Sequence, residues 1–187
     1  MIFAFSTSSA IASVAVFTEA GEVLFAGAKE ARMQASGVCF ALLEESGFDP
    51  NDGTLFLADI GPGSFTGTRV GVTIAKTLAF VANAKCAGAN AFDLISPDQT
   101  VILPSKKNEW FIRTPGEVPI RSSELPTGAF LGFGNGFEPE NFPSALGFVP
   151  LLPILSPIEP EGFIPTYLIE PSISVQKKGL GLSGAVQ

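Results

Sequence analysis

The chain has no histidine, and that gap excludes more chemistry than any residue present suggests. Without an imidazole there is no Ser–His or Cys–His nucleophilic pair and no His-ligated zinc. Cysteine is nearly absent too: Cys39 and Cys86 are too few for a four-Cys metal site. Each stands among apolar neighbours and reads as a reduced core thiol rather than a disulfide partner or nucleophile. Positive charge is scarce, with 11 Lys and Arg against 18 Asp and Glu, a net charge of −7. A surface of that sign repels nucleic acid and anionic membrane, so any RNA has to be held by something else. No apolar run approaches the ~18 residues of a membrane helix. The apolar start, residues 2–16, has no basic leader and is interrupted by Thr7, Ser8, Ser9 and Ser13, so it does not read as a signal peptide. A cytoplasmic protein is expected.

What is present is apolar sequence, 46% of 187 residues, enough for one domain or two small lobes. Residues 2–5, 11–17 and 23–28 are apolar and rich in β-branched or aromatic side chains, separated by Ser6-Thr7-Ser8-Ser9 and by Glu19-Ala20-Gly21-Glu22. They predict three strands in an antiparallel meander. Residues 33–46 predict a helix closed by Gly47, with Ala35, Val38, Cys39, Leu42 and Leu43 at helical spacing. Residues 55–58 form a fourth strand, and a long helix follows. Residues 86–88 suit a short strand and 91–95 a brief helix. Three strands, a helix, a strand and a helix are the order of the ribonuclease H-like unit that builds the actin-like ATPases. The crossover helix makes the fourth strand parallel to the first.

Beyond residue 100 the character changes, because 12 of the 15 prolines lie between Pro104 and Pro171. Proline at that density disfavours long central strands and helices. The best strand-like pieces are 101–103, 110–113 and 129–133. The expected division is therefore an N-terminal lobe over 1–98, a smaller degenerate lobe over 99–175 and a mobile tail over 176–187.

Between the fourth strand and the long helix the chain reads Gly61-Pro62-Gly63-Ser64-Phe65-Thr66-Gly67. Gly61 and Gly63 permit positive φ, and Ser64 and Thr66 can accept from the first helical N–H groups. Such a turn can hold an anion on Gly61, Gly63, Ser64 and Thr66. It can equally be a tight strand-to-helix turn with no ligand. On a helical wheel of residues 66–82, Thr66, Arg69, Thr73, Lys76 and Thr77 form a polar side. Val70, Ile74, Leu78 and Val81 form an apolar stripe, and Gly67, Gly71, Ala75 and Ala79 a stripe of small residues. Apolar and small surface together exceed the ~100° needed to cover one sheet. Two glycines in a helix cost about 1 kcal/mol each relative to alanine, which close approach of another backbone can offset. That backbone belongs either to this chain or to a second protein. With Ala35, Val38 and Leu42 of the preceding helix, residues Gly67, Val70, Gly71, Ile74, Ala75, Leu78 and Ala79 make half of a four-helix interface in the second case. Arg69, in the first turn, opposes the helix dipole and is expected to pair with a carboxylate such as Asp59 or to reach a partner.

GPGSFTGTRVGVTIAKTLA, residues 61–79, resembles the signature of the bacterial TsaB (YeaZ-like) family. Ile2-Phe3-Ala4-Phe5-Ser6-Thr7-Ser8 is similar to that family's opening motif, residues 101–111 to the start of its second lobe, and Pro165-Thr166-Tyr167-Leu168 to its late P-x-YLR. The resemblance implies a two-lobed actin-like ATPase fold without a working ATPase site. It implies a non-catalytic partner of TsaD in N6-threonylcarbamoyladenosine synthesis on tRNA, paired through N-lobe helices. A TsaE-type ATPase joins the complex, tRNA is met only indirectly, and no cofactor is expected, ATP being possible only within the complex. Ser6 replaces the family's usual Asp, so that position offers no carboxylate to hold metal or water, and Ile169 replaces the late Arg. The alternatives are a nucleotide-binding, ATPase-like switch of the same fold, and a homodimer using the same helical face.

Overall fold

The computed structural model describes residues 1–134 and 136–166. β1 (Ile2–Ser6) pairs antiparallel with β2 (Ile11–Phe17), and β2 with β3 (Val23–Glu30). The hairpin between β2 and β3 closes with Gly21 at φ 85° and the Thr18 N–H donating to the Glu22 carbonyl at 2.9 Å. After α1 (Ala35–Ser46), β4 (Leu55–Asp59) returns parallel to β1. After α2 (Phe65–Ala82), β5 (Lys85–Ala89) lies parallel to β4. The sheet order is β3-β2-β1-β4-β5. Helix α1 starts two residues later than its periodicity predicts, because Met33 sits outside it at φ 59° with its side chain in solvent. Gly47 ends it in the left-handed region, as expected.

Alternation along the strands gives the sheet two apolar faces. Phe3, Phe5, Val14, Val16 and Phe56 meet α1 and α2, with Leu42, Ile74, Ala75 and Ala79 packed among them. Ile2, Ala4, Ala15, Phe17 and Leu57 point the other way. Cys39 and Cys86 are both free and buried in the first of these clusters, as read from the sequence.

The brief helix α3 (Ala91–Ile95) leads to a second sheet of β6 (Val101–Pro104), β7 (Trp110–Arg113), β8 (Ile120–Ser122) and β9 (Leu131–Gly132), ordered β8-β7-β6-β9. Its strands have at most four residues, as proline density predicts, with Pro104 ending β6. Arg113, only 6% exposed, ties this sheet to α3. It donates to the carbonyls of Ser96 at 2.6 Å and Pro97 at 2.8 Å, and pairs with Asp93 at 3.0 Å.

The chain then returns to the first sheet. Residues 145–163 fall in the range assigned to the second lobe, yet they pack on the first. The 3-10 helix Ala145–Ile154 sets Phe148 and Leu151 against the face of Ala4 and Leu57. Ile158 bridges Cys86 antiparallel, and Phe163 enters the α-helical side of the core. The reason is physical: that sheet face is apolar and has no long helix of its own to cover it. Tyr167, Leu168, Ile169 and the tail over 176–187 lie outside the described residues. Among the described residues no helix is long and apolar enough to cross a membrane.

Candidate functional site

The turn that launches α2 is built against the β1–β2 turn. Ser64 caps the helix, accepting from the Gly67 N–H at 3.2 Å. Its own N–H donates to the Ser8 carbonyl at 2.7 Å, and the Gly61 N–H donates to Asp59 Oδ1 at 2.8 Å. Thr66 is exposed one position into the helix. A Cβ on Gly63 would strike the Ser8 backbone, one on Gly67 the Thr7 carbonyl, and one on Gly71 the Thr7 hydroxyl. Residues 7–8 of the chain itself thus pack against Gly63 and Gly67, and the amides of Gly61, Ser64 and Gly67 are already engaged, while Gly63, Ser64 and Thr66 also line an open cleft.

Beneath the turn lies Asp59, which has no solvent exposure. It accepts from Ser6 Oγ at 2.9 Å and from Ser8 Oγ. Burial pushes its carboxyl above the ordinary carboxylate range, against the opposing pull of hydrogen bonds from Ser8, Gly61 and Ser6. β4 thus sets beside Ser6 the carboxylate that position 6 itself lacks. One expectation is corrected here: Asp59 is bound by hydroxyls and an amide and is not the carboxylate partner of Arg69, which is exposed and stacks over the Phe65 ring at 4.1 Å. Among the described residues no three His, Cys, Asp or Glu side chains gather as a metal site.

The residues expected at a partner surface separate into two groups. Gly67, Gly71, Ala75 and Ala79 turn inward, with Ala75 and Ala79 fully buried, and Leu42 is 1% exposed. The backbone that closely approaches the small stripe is therefore the chain's own β1–β2 turn. These five cannot offer surface to another protein. Val70, Ile74 and Leu78 instead form the floor of a groove of about 470 Å³ between α1 and α2. Val38 packs partly buried against the core, and Ala35 borders a neighbouring cleft. The walls of the groove include two residues that the helical pattern did not single out, Phe40, 53% exposed, and Phe65, 47% exposed, together with Thr66, Arg69, Thr73 and Thr77 of the polar side. Phe80 and Val81 continue this apolar exposure to the end of α2, at 69% and 66%. A count of large apolar residues outside the helical stripe is the sequence signal that would have found Phe40 and Phe65.

The neighbouring cleft, about 830 Å³, runs from Ser8, Ser9 and Ser64 past Arg32 to Pro104 of β6 and Phe133 just beyond β9. Arg32 is already paired with Glu30 at 2.9 Å.

Sheet order, crossovers and the second small sheet define the class: an α/β, ribonuclease H-like fold of the actin-like ATPase type. Within that class the chain has the fold of YeaZ. It is similar to YeaZ from Pseudomonas aeruginosa at 18% identity, covering 89% of this chain and 99% of that one with a TM-score of 0.70. It is also similar to an uncharacterized protein with similarity to peptidase YEAZ from Pseudomonas aeruginosa, at 17% identity, 90% and 99% coverage and a TM-score of 0.70. Residues 27–98, less than half of the chain, match the family model described as TsaD, tRNA N6-adenosine threonylcarbamoyltransferase. No curated protein matches the sequence.

Proposed function

We propose that the chain is a divergent member of the TsaB (YeaZ-like) family and acts as a non-catalytic, activating subunit. In this reading a TsaD-type protein docks on the α1–α2 groove during N6-threonylcarbamoyladenosine modification of tRNA. The observation that carries the proposal is the apolar wall of that groove. Phe40 and Phe65 are each about half exposed beside the floor of Val70, Ile74 and Leu78, and Phe80 extends the exposed apolar surface towards the end of α2. Fully burying one such side chain is worth roughly 1.5–3 kcal/mol, so a helix laid across the groove gains free energy that the isolated chain forgoes. Ser36, Thr73 and Thr77 at the rim provide hydroxyls for a partner's polar edge. Family likeness supports this choice of partner: the YeaZ fold together with the TsaD match over residues 27–98. A TsaE-type ATPase joins the pair, tRNA is held by the other subunits, consistent with the −7 net charge, and the chain works in the cytoplasm without a cofactor of its own. Alone, it pairs with a second copy through the same face.

Size exclusion with light scattering, on the chain alone and mixed with the TsaD-type protein, tests the proposal. A mass equal to the sum of the two chains is expected. Unchanged elution of both proteins at micromolar concentration sinks it. The second reading, a nucleotide bound between the sheets, is favoured by the size of the Arg32 cleft, which lies within the ~300–1,000 Å³ of small-molecule pockets. Calorimetric titration with Mg-ATP separates the two, since the docking reading expects no heat from the isolated chain.

A further inference from the structure

Ser6 Oγ stands 2.9 Å from Asp59 Oδ2 and 3.1 Å from the carbonyl oxygen of Pro143. A hydroxyl has one hydrogen to give and two lone pairs with which to receive. Against an ionised Asp59 it meets two acceptors. Given to Asp59, its hydrogen leaves the carbonyl of the buried Pro143 without it, which is costly. Given to Pro143, it leaves Ser6 Oγ facing Asp59 Oδ2 at 2.9 Å with no hydrogen between them, although Ser8 still donates to that oxygen. One additional proton resolves the conflict. Carried on Asp59 Oδ2, it is donated to Ser6 Oγ, and Ser6 gives its own hydrogen to Pro143. The Ser8 hydroxyl still donates to Asp59 Oδ2, and the Gly61 N–H still donates to Oδ1.

We propose that Asp59 is a neutral acid in the folded chain, and that its proton closes a relay from Asp59 through Ser6 to Pro143. The relay latches the ends of β1 and β4 to the segment returning from the second sheet. Ser13, the cross-strand partner of Ser6, holds the same segment one step on, accepting from the Ala145 N–H at 2.9 Å. The same carboxyl fixes Gly61, so the latch also seats the turn from which α2 springs. No charged side chain among the described residues supplies the shift. β1 faces Asp59 with Ser6, the β1–β2 turn with Ser8, the glycine turn with Gly61 and the returning segment with Pro143, none of which titrates. Burial raises the carboxyl, with hydrogen bonds as the only opposing influence. The sign follows. A folded-state value above the unfolded one gives stability that is whole below the unfolded carboxyl range and is lost as pH rises through the folded value.

Carbon-13 NMR of the Asp59 side-chain carboxyl, followed through a pH titration of the full chain, reads the proton directly. Titration well above the ordinary carboxylate range is expected, and titration within or below that range overturns the proposal. Asp59→Asn supplies the independent arm, because a side-chain amide has two hydrogens, one to donate to Ser6 as the protonated acid does and one for Ser8 Oγ, which turns to accept. Its urea midpoint should equal or exceed that of the wild type at neutral and alkaline pH. A midpoint lower than wild type there, or failure of the variant to fold, counts against the latch, with the NMR titration of the wild type deciding.

Discussion

The carbonyl oxygen of Thr7 occupies the space that a side chain on Gly67 would need, and Thr7 Oγ1 donates to the Gly67 carbonyl at 2.8 Å. Helix α2 therefore meets the β1–β2 turn backbone to backbone, one turn before Gly71 meets the same Thr7 hydroxyl. The free-energy cost of two helical glycines is offset inside the molecule, not at a partner surface.

Gly67→Ala is consequently expected to lower the stability of the isolated chain by about 1–3 kcal/mol or more, the range of core overpacking. Gly37, in α1, has nothing within 4 Å of the place a methyl group would take, so Gly37→Ala should instead stabilise by roughly 0.5–1 kcal/mol. Urea unfolding of the two variants checks the contrast. Equal effects would mean that the Thr7 contact carries no weight.

Phe40→Asp tests the groove without touching the core. Phe40 is 53% exposed, so the variant should stay within about 1 kcal/mol of wild-type stability. Association with a TsaD-type partner should weaken by roughly 30-fold, about 2 kcal/mol, if Phe40 is a central anchor. Calorimetric titration gives the ratio, and unchanged affinity would place the partner elsewhere.

Arg113 is the fastening between the second sheet and α3. Replacing it by alanine strands the carbonyls of Ser96 and Pro97 and the Asp93 carboxylate, and should cost roughly 3 kcal/mol. Arg113→Lys should recover only part of this, since an ammonium lacks the planar fork that reaches Ser96, Pro97 and Asp93 together. Chemical denaturation followed by the fluorescence of the single tryptophan, Trp110 in the same strand β7, reports the loss.

Both thiols are shielded. Burial pushes Cys39 up to about 12 and Cys86 up to about 11, the latter eased down by Lys76. Below pH 9.0, the ordinary thiol value, neither is expected to react with a disulfide reagent while the chain is folded, and both should react once it is unfolded. Because the folded values lie above the unfolded one, these groups contribute stability that is whole below the ordinary thiol value and declines as pH rises through 9.0 towards 11 and 12. Timed thiol titration across alkaline pH measures both effects.

Much of the fold was legible because its determinants are short-range. The β1–β2–β3 meander follows from alternation and the Gly21 turn, α1 from its spacing and Gly47, and the parallel return of β4 from the helix before it. The Ser64 cap and the proline-shortened second sheet were equally readable. The candidate site was less so. A helical wheel shows that α2 has more apolar and small surface than one sheet can use, but does not say which stripe the sheet takes. The choice fell to Thr7, sixty residues away in sequence from Gly67. Nor does any window around Ser6 show that Asp59 and Pro143 converge on its hydroxyl, 53 and 137 residues distant.

The sequence by itself thus determined the order of elements, the ends of the helices, the reduced state of the cysteines and the exclusion of histidine chemistry. Each rests on residue type or on spacing within a turn or two of chain. Only the tertiary structure decided which way α2 faces, where the buried acid finds its partners, and that residues 145–155 close the open face of the first sheet while Ile158 and Phe163 reach β5 and the helical side. Those outcomes depend on which surfaces compete for the same apolar face, and that competition is settled across the whole molecule at once.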